Sequence, residues 1–253
     1  MSVSKLTIED KRFYEENGYL IVRKVFLQND VDELNERFRQ IWLDLVRDQK
    51  IKQDIDRPLD SLFSPLRDFH REDDLVKSFI LDKRVIELLE NLLGEAPLAI
   101  VSNYHLKPPG AEGMGNHQDN YNIGVSPDTT HAVWVSLDKA DPQNGSMYFY
   151  KGTGSWEIKT PDSASGAWGE GEHLIVEGQE TIELVTEPGD IIIFNGQIVH
   201  ASHPNQSLDR YRRAIITHYA RSSSEKTYLN FNQLLDKEGN RVRRRLNSLP
   251  GKR

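Results

Sequence analysis

Two short segments, far apart in the chain, carry the side chains best suited to hold a metal ion. The first is Asn116-His117-Gln118-Asp119-Asn120. In extended backbone, residues two apart project to the same face, so His117 and Asp119 can aim at one point while Gln118 points away. Alone, His-x-Asp is more often a surface or satisfied polar pair than a ligand set. The second segment runs from Glu187-Pro188-Gly189-Asp190 through Ile191-Ile192-Ile193-Phe194 and Asn195-Gly196 to His200. A Pro-Gly-Asp turn launches an apolar strand there, and Asn195-Gly196 makes a tight turn before a short strand that delivers His200. The interval between His117 and His200 is too long for a local motif and suits strands meeting across a barrel. Two imidazoles and one carboxylate on one face of a metal, with three positions left open, suit Fe(II) oxygen chemistry. Zinc is the chief competing metal.

Behind His200, Ser202 shares its face, and Tyr211-Arg212-Arg213-Ala214 opens the next apolar run. A guanidinium grips a carboxylate through two parallel hydrogen bonds, which is what a dicarboxylate cosubstrate needs at its far end. Both Arg212 and Arg213 are candidates. The sequence contains no Cys, so zinc-thiolate sites, iron–sulfur clusters, disulfides and Cys nucleophiles are excluded, and any metal must use His and carboxylates. The net charge of −7 gives no electrostatic reason to expect nucleic acid. The basic run Arg241-Val242-Arg243-Arg244-Arg245 reads as a solvated terminal segment. No secretory core and no run of about eighteen apolar residues is visible, so the expectation is a soluble, cytoplasmic protein without membrane contact.

The elements that must position these residues fall into two parts. Thr7-Ile8-Glu9-Asp10 predicts a capped helix start and Gly18 its stop, followed by a short strand over Tyr19-Leu20-Ile21-Val22. Val31, Leu34, Phe38, Ile41 and Leu45 recur at helical spacing after Asp30, and a second helix lies between Asp82 and Gly94 with Val85, Leu88, Leu89 and Leu92 inward. Residues 49–74 are charged, hold Pro58 and Pro65, and read as an irregular loop over the body. After Pro97 come short β-type runs at Leu98–His105, His131–Leu137, Met147–Tyr150, Glu180–Val185, Ile191–Phe194, Ile198–Ser202 and Arg213–Ala220. The pattern predicts one mainly β domain over 1–253: helices in about 1–96 flank an antiparallel barrel or jelly-roll core over about 97–235, and a basic tail follows.

Taken together the motifs resemble the phytanoyl-CoA dioxygenase family of Fe(II)/2-oxoglutarate oxygenases. The likeness runs from Phe13-Tyr14-Glu15-Glu16-Asn17-Gly18-Tyr19 through Leu106-Lys107-Pro108-Pro109-Gly110, Val133-Trp134-Val135-Ser136-Leu137 and Asn144-Gly145-Ser146-Met147 to His200-Ala201-Ser202, Asn205 and Arg212-Arg213-Ala214. The resemblance implies a double-stranded β-helix, a cupin-like jelly roll, with Fe(II) held by His117, Asp119 and His200. It implies 2-oxoglutarate anchored by Arg212 and Ser202, with Trp134, Gln118 and Asn103 lining its pocket, and O₂ as the second cosubstrate. Arg212 is preferred over Arg213 on the family's Arg-x-Ala pattern. The family can also place a Lys from the long loop near this pocket, where this chain has Pro65 with Arg67 close by.

The resemblance further implies hydroxylation of a substrate carbon with release of succinate and CO₂. Halogenases of this kind lack a carboxylate at the position of Asp119, so its presence argues against chlorination; desaturation, cyclisation and epimerisation use the same iron centre. Asn116, Asn120, Tyr121, Asn122, His105 and Tyr148 near the motifs point to a polar small molecule, such as an amino acid or natural-product intermediate; Arg67 and Arg71 read first as solvated surface, with contact to an anionic group of the substrate as the alternative. The protein is expected to act as a monomer or homodimer. The rival readings are a zinc-dependent cupin-like enzyme and a non-catalytic binding barrel. His203 and His218 read as outside the ligand set, and His70, His131 and His173 as solvated.

Overall fold

The computed structural model describes residues 6–161 and 174–248. The chain begins with helix α1 (Ile8–Asn17), whose Thr7 hydroxyl accepts from the Asp10 amide while the Asp10 carboxylate accepts from the Thr7 amide, and Gly18 closes it at φ 79°. Strand β1 (Tyr19–Val22) leads to α2 (Gln28–Arg47), which starts two residues before the expected Asp30 because the Asp30 carboxylate caps the Leu27 amide from the first turn. Residues 49–74 are not an irregular loop throughout. They hold the short helix α3 (Pro58–Leu62), strand β2 (Leu66–Arg67) and a 3-10 turn at Phe69–Arg71. Helices α4 (Asp74–Ile80) and α5 (Lys83–Leu93) follow, the latter bounded by Asp82 and Gly94 as the spacing predicts.

The β part consists of β3 (Pro97–Lys107), β4 (Met114–His117), helix α6 (Asp119–Ile123), β5 (His131–Ser136), β6 (Met147–Tyr150), β7 (Thr181–Glu183), β8 (Ile191–Asn195), β9 (His200–Ser202) and β10 (Arg212–Arg221). Four short strands close the described chain: β11 (Lys226–Thr227), β12 (Leu234–Leu235), β13 (Arg241–Val242) and β14 (Arg245–Leu246). The major sheet runs β1-β8-β5-β10-β3-β12-β13, with β2 also on β3; the minor sheet runs β4-β9-β6-β7. This is the jelly-roll arrangement of two antiparallel sheets, mainly β, with helices against one of them.

Alternation on the major sheet assigns its two faces. Val133, Val135, Ile191, Ile193 and Ile215 pack with Val31, Leu34, Phe38 and Ile41 of α2 and with Val85, Leu88 and Leu89 of α5. Ala132, Trp134, Ile192, Phe194, Ala214 and Ile216 instead meet Met147 and Phe149 of the minor sheet. With both faces covered, β8 can be a continuous apolar run, since neither parity meets water. Phe38 stacks on Tyr104 with ring centroids 4.0 Å apart, so α2 is pinned to β3 by an aromatic pair as well as by buried area.

Asn195-Gly196 opens a tight turn, with the Ile198 amide donating to the Asn195 carbonyl at 3.2 Å. β8 lies in the major sheet and β9 in the minor one, so the turn is a corner where the chain changes sheets. The basic run near the C-terminus is solvent-facing, with Arg241, Arg243 and Arg245 exposed, and its backbone is paired. Arg241 and Val242 pair with Leu235 and Leu234, Arg245 and Leu246 pair with Lys226 and Thr227, and Arg244 donates to the Ser222 carbonyl at 2.8 Å. Among the described residues no helix is long and apolar enough to cross a membrane.

Candidate active site

His117 ends β4, and the first helical residue of α6 is Asp119. Gln118 between them is extended (φ −120°, ψ 122°), so the two-residue alternation that brings His117 and Asp119 to one side holds across the strand-to-helix junction. His200 begins β9 and is the direct register partner of His117. The two imidazoles therefore reach one point as cross-strand neighbours within the minor sheet, not across the barrel. Their ring centroids are 4.2 Å apart.

The three ligand atoms lie within 4.8 Å of one another, and all three residues are buried. His117 Nε2 is 3.5 Å and His200 Nε2 3.6 Å from Asp119 Oδ1. The other ring nitrogens face backbone carbonyls: His117 Nδ1 donates to Gly115 at 2.8 Å and His200 Nδ1 to Ile198 at 3.0 Å. A proton held on Nδ1 leaves Nε2 as a bare lone pair, which is the tautomer that binds a metal. Burial alone would raise the Asp119 carboxyl, but the neighbouring imidazoles of His200 and His218 and the hydrogen bonds of His117 and His218 hold it well below the usual carboxylate range. Burial, then His117, pushes His200 down to about 4. The cluster thus offers a carboxylate and two imidazoles, a donor set that fits a divalent first-row ion with bonds of about 2.1 Å.

His218 was placed outside the ligand set by its sequence position, yet its Nε2 donates to Asp119 Oδ2 at 2.9 Å. This bond engages one carboxylate oxygen and leaves Oδ1 turned toward the imidazoles. A sequence signal existed: His218 is six residues beyond Arg212 on one strand, so both face the same side.

A cavity of about 320 Å³ extends from the triad. Its wall includes Arg212, Ile216 and His218 of β10, Asn103 and His105 of β3, and Trp134 of β5. Ser202 of β9 and Asn122 of α6 also line it, and the β2 segment contributes Ser64, Pro65 and Arg67, held there by pairing of Leu66 with Tyr104 and Arg67 with Asn103. Arg212 is buried; its Nε donates to the Gly145 carbonyl at 3.0 Å, and burial pushes its guanidinium down to about 10. Arg213, one residue on, faces the other way and makes a two-pronged pair with Asp138 at 2.7 and 2.8 Å. His105 is pushed down to about 3 by burial, then by Arg212 and Lys107, and its ring has no hydrogen-bond partner among the described residues.

Several expected contacts lie elsewhere. Gln118 is not on the cavity wall. Its Nε2 donates to the Gln197 and Glu157 carbonyls and its Oε1 accepts from the Lys159 amide, because extended backbone turns it away from its two neighbours. Asn120 is buried in a reciprocal pair with the Val125 backbone, at 2.9 and 3.1 Å, which closes the end of α6. Tyr121 does not line the cavity. Tyr148 alternates away from the cavity-lining Met147 and packs on Tyr150 and His203. His70 and His131 are buried, not solvated: His70 Nδ1 meets Ser102 Oγ at 2.7 Å, and His131 Nδ1 meets the Tyr14 hydroxyl at 2.7 Å. His203 pairs with Glu183 at 2.8 Å, and His173 lies outside the described residues.

The phytanoyl-CoA dioxygenase (PhyH) family model matches residues 14–214. The peroxisomal phytanoyl-CoA dioxygenase of Mus musculus is 24% identical over 240 residues, 87% of this chain and 70% of the relative. A 2-aminoethylphosphonate dioxygenase from uncultured bacterium HF130_AEPn_1 is 27% identical over 165 residues, 65% of this chain and 60% of that protein. Among solved structures, EctD from S. alaskensis with 2-oxoglutarate and 5-hydroxyectoine superposes with a TM-score of 0.70 at 15% identity, covering 89% of this chain and 79% of that one. The epimerase SnoN in complex with Fe3+, alpha ketoglutarate and nogalamycin RO gives 0.68 at 18%, covering 86% and 84%. With the family model spanning most of its length and a His-Asp-His cluster at the head of its cavity, the chain belongs to the phytanoyl-CoA dioxygenase family of iron- and 2-oxoglutarate-dependent dioxygenases.

Proposed function

We propose that this enzyme hydroxylates an unactivated C–H bond of a small polar molecule and releases succinate and CO₂. One observation carries the reading: a cavity of small-molecule size has three convergent metal-ligand atoms at one end and, elsewhere on its wall, a buried guanidinium that no carboxylate of the chain engages among the described residues. Fe(II), when bound, would activate O₂, which supplies the oxidising equivalents, with 2-oxoglutarate providing two of the four electrons. His117 and His200 present Nε2, and Asp119 presents Oδ1 while His218 holds Oδ2 aside. Arg212 and Ser202 receive the distal carboxylate of the cosubstrate, and Trp134 and Ile216 wall that limb with apolar surface that excludes water. His105, Asn122 and Arg67 line the same cavity and would contact the substrate, while Asn103 lines the cosubstrate pocket. Arg67 lies over the Phe231 ring at 5.1 Å and 3.4 Å from Asp68, which steadies it at the cavity wall. These polar groups favour an amino acid or a natural-product intermediate. The carboxylate at position 119 favours hydroxylation over halide chemistry.

The test is an Fe(II)-loaded sample given 2-oxoglutarate and a panel of polar small molecules, scored by stimulated succinate release and by mass for a gain of one oxygen. Succinate formation with no oxygen gain in any stimulating compound would replace hydroxylation by desaturation, cyclisation or epimerisation. No succinate at all, with iron bound, would remove the catalytic reading.

A further inference from the structure

Lys107 is the register partner of Arg212 on the neighbouring strand, and the two cations share the sheet face that looks into the barrel. Lys107 Nζ donates to Ser202 Oγ at 3.0 Å and to the His203 carbonyl at 2.8 Å. Both cationic side chains converge on Gly145. Arg212 Nε donates to the Gly145 carbonyl, and a Cβ added at this position (φ 92°) would lie 2.6 Å from Lys107 Cδ. Like charges directly opposite on adjacent strands repel, and removal from water makes each costlier. Among the described residues no carboxylate bonds either one.

The hydroxyl of Ser202 adds a second observation. Its oxygen already accepts from Lys107 Nζ and, at 3.1 Å, from the Met114 amide. Both lone pairs are then occupied, so the hydroxyl hydrogen is the group left to offer. A half-buried corner with a guanidinium, an amine that an arriving anion would protonate and one committed hydroxyl donor is built for an anion.

We propose that Lys107 is a binding residue for the distal carboxylate of the cosubstrate, closing with Arg212 and Ser202 a three-donor cradle that selects a dicarboxylic 2-oxo acid over a monocarboxylic one. This rests on the reading of the cavity as the 2-oxoglutarate site. The charged and titratable groups facing Lys107 are Arg212 from β10, His105 on its own strand, Glu112 from the segment after β3, and Arg57 just before α3 and Asp60 within it across the adjoining cavity; His203, just after β9, presents its carbonyl while its imidazole is turned to Glu183. Burial, then Arg212, pushes Lys107 down to about 6. At pH 7.5 the empty site therefore holds mainly the neutral amine, and arrival of a carboxylate favours the ammonium. Binding takes up a proton, and cosubstrate affinity falls as pH rises above about 6.

The experiment is anaerobic calorimetry of the Fe(II)-loaded protein with 2-oxoglutarate and with 2-oxobutanoate, which has the same chelating head and no distal carboxylate, in buffers of different ionisation enthalpy. Lys107→Met should weaken 2-oxoglutarate about ten- to a hundredfold, the size of a lost hydrogen bond to a charged group, leave 2-oxobutanoate within about twofold, and abolish proton uptake. Thermal unfolding checks that the variant is folded, and Lys107→Gln serves if the Met variant is not. A Met or Gln variant that binds the diacid as wild type does, or loses both acids equally, overturns the proposal. Wild-type protein that binds iron but not 2-oxoglutarate overturns the cosubstrate site itself.

Discussion

The two faces of the major sheet are made from the same strands, one residue out of step, and they solve opposite problems. Toward α2 and α5 the sheet presents Val133, Val135, Ile193 and Ile215, and the polar side chains there are matched, as Arg213 is by Asp138. Toward the minor sheet the same strands present Asn103, His105, Lys107, Arg212 and His218, whose nitrogens are partly unmatched; His218 Nδ1 is buried without a partner. One face is finished by the chain alone. The other leaves polar groups to be completed by a ligand, which is the cost a binding site imposes on stability. A one-residue register slip would exchange the faces, so the helices' apolar stripe also secures the direction of the site.

The sharpest way to break this contrast is at the metal. Asp119→Ala should lower 2-oxoglutarate turnover by about a thousandfold or more, since it removes both a ligand and the acceptor for His218; about 4 kcal/mol of barrier corresponds to that factor. Succinate release at a tenth of the wild-type rate would remove Asp119 from the metal site. On the opposite face Phe38→Ala should cost about 3–5 kcal/mol of stability, read by urea unfolding, with KM for 2-oxoglutarate unchanged. A change in KM as large as the change in stability would mean that the faces are coupled.

The adjacent arginines separate the faces at single-residue resolution. Arg212→Ala should raise the KM for 2-oxoglutarate by about a hundredfold, on the order of a lost charge-assisted bidentate contact. Arg213→Ala should leave KM alone and cost about 1 kcal/mol of stability, because its pair with Asp138 is partly exposed. The reverse result would place the cosubstrate on the helix-facing side. The smallest effect concerns pH. Burial pushes His70 down to about 4, below its ordinary value of 6.5, so the folded protein binds fewer protons than the unfolded chain in that window. The stability associated with neutral His70 is present above 6.5 and is lost as pH falls toward 4. His70→Gln should flatten that limb of the stability profile, and an unchanged limb would assign acid sensitivity to other groups.

Much of the helical part was legible because its signals are local. Thr7, Gly18, Asp82 and Gly94 mark helix ends through bonds to backbone within three or four residues, and the apolar stripe of α2 repeats at the helical period. The seven runs expected after Pro97 are all strands, with ends displaced by at most two residues, whereas β4 and the short strands β11 to β14 left no readable run. The β2 segment was hidden, because two residues paired on β3 leave no periodic trace. Burial of His70 and His131 was also hidden, since Nδ1 of each meets a hydroxyl distant in sequence. The part played by Lys107 in Leu106-Lys107-Pro108-Pro109-Gly110 was hidden too, for nothing local says which strand stands opposite it.

What the sequence by itself determined is which residue types are available and how they alternate: His117 with Asp119 on one side of Gln118, Arg212 opposite in parity to Arg213, and helices with one apolar stripe. These follow from backbone geometry over a few residues. Only the tertiary structure decided that His117 and His200 are register partners, that His218 holds the free oxygen of Asp119, and that Lys107 and Arg212 share one buried corner with Ser202. Those facts depend on strand order and sheet crossing, which are set by the summed burial of both sheet faces and leave no mark at any single position.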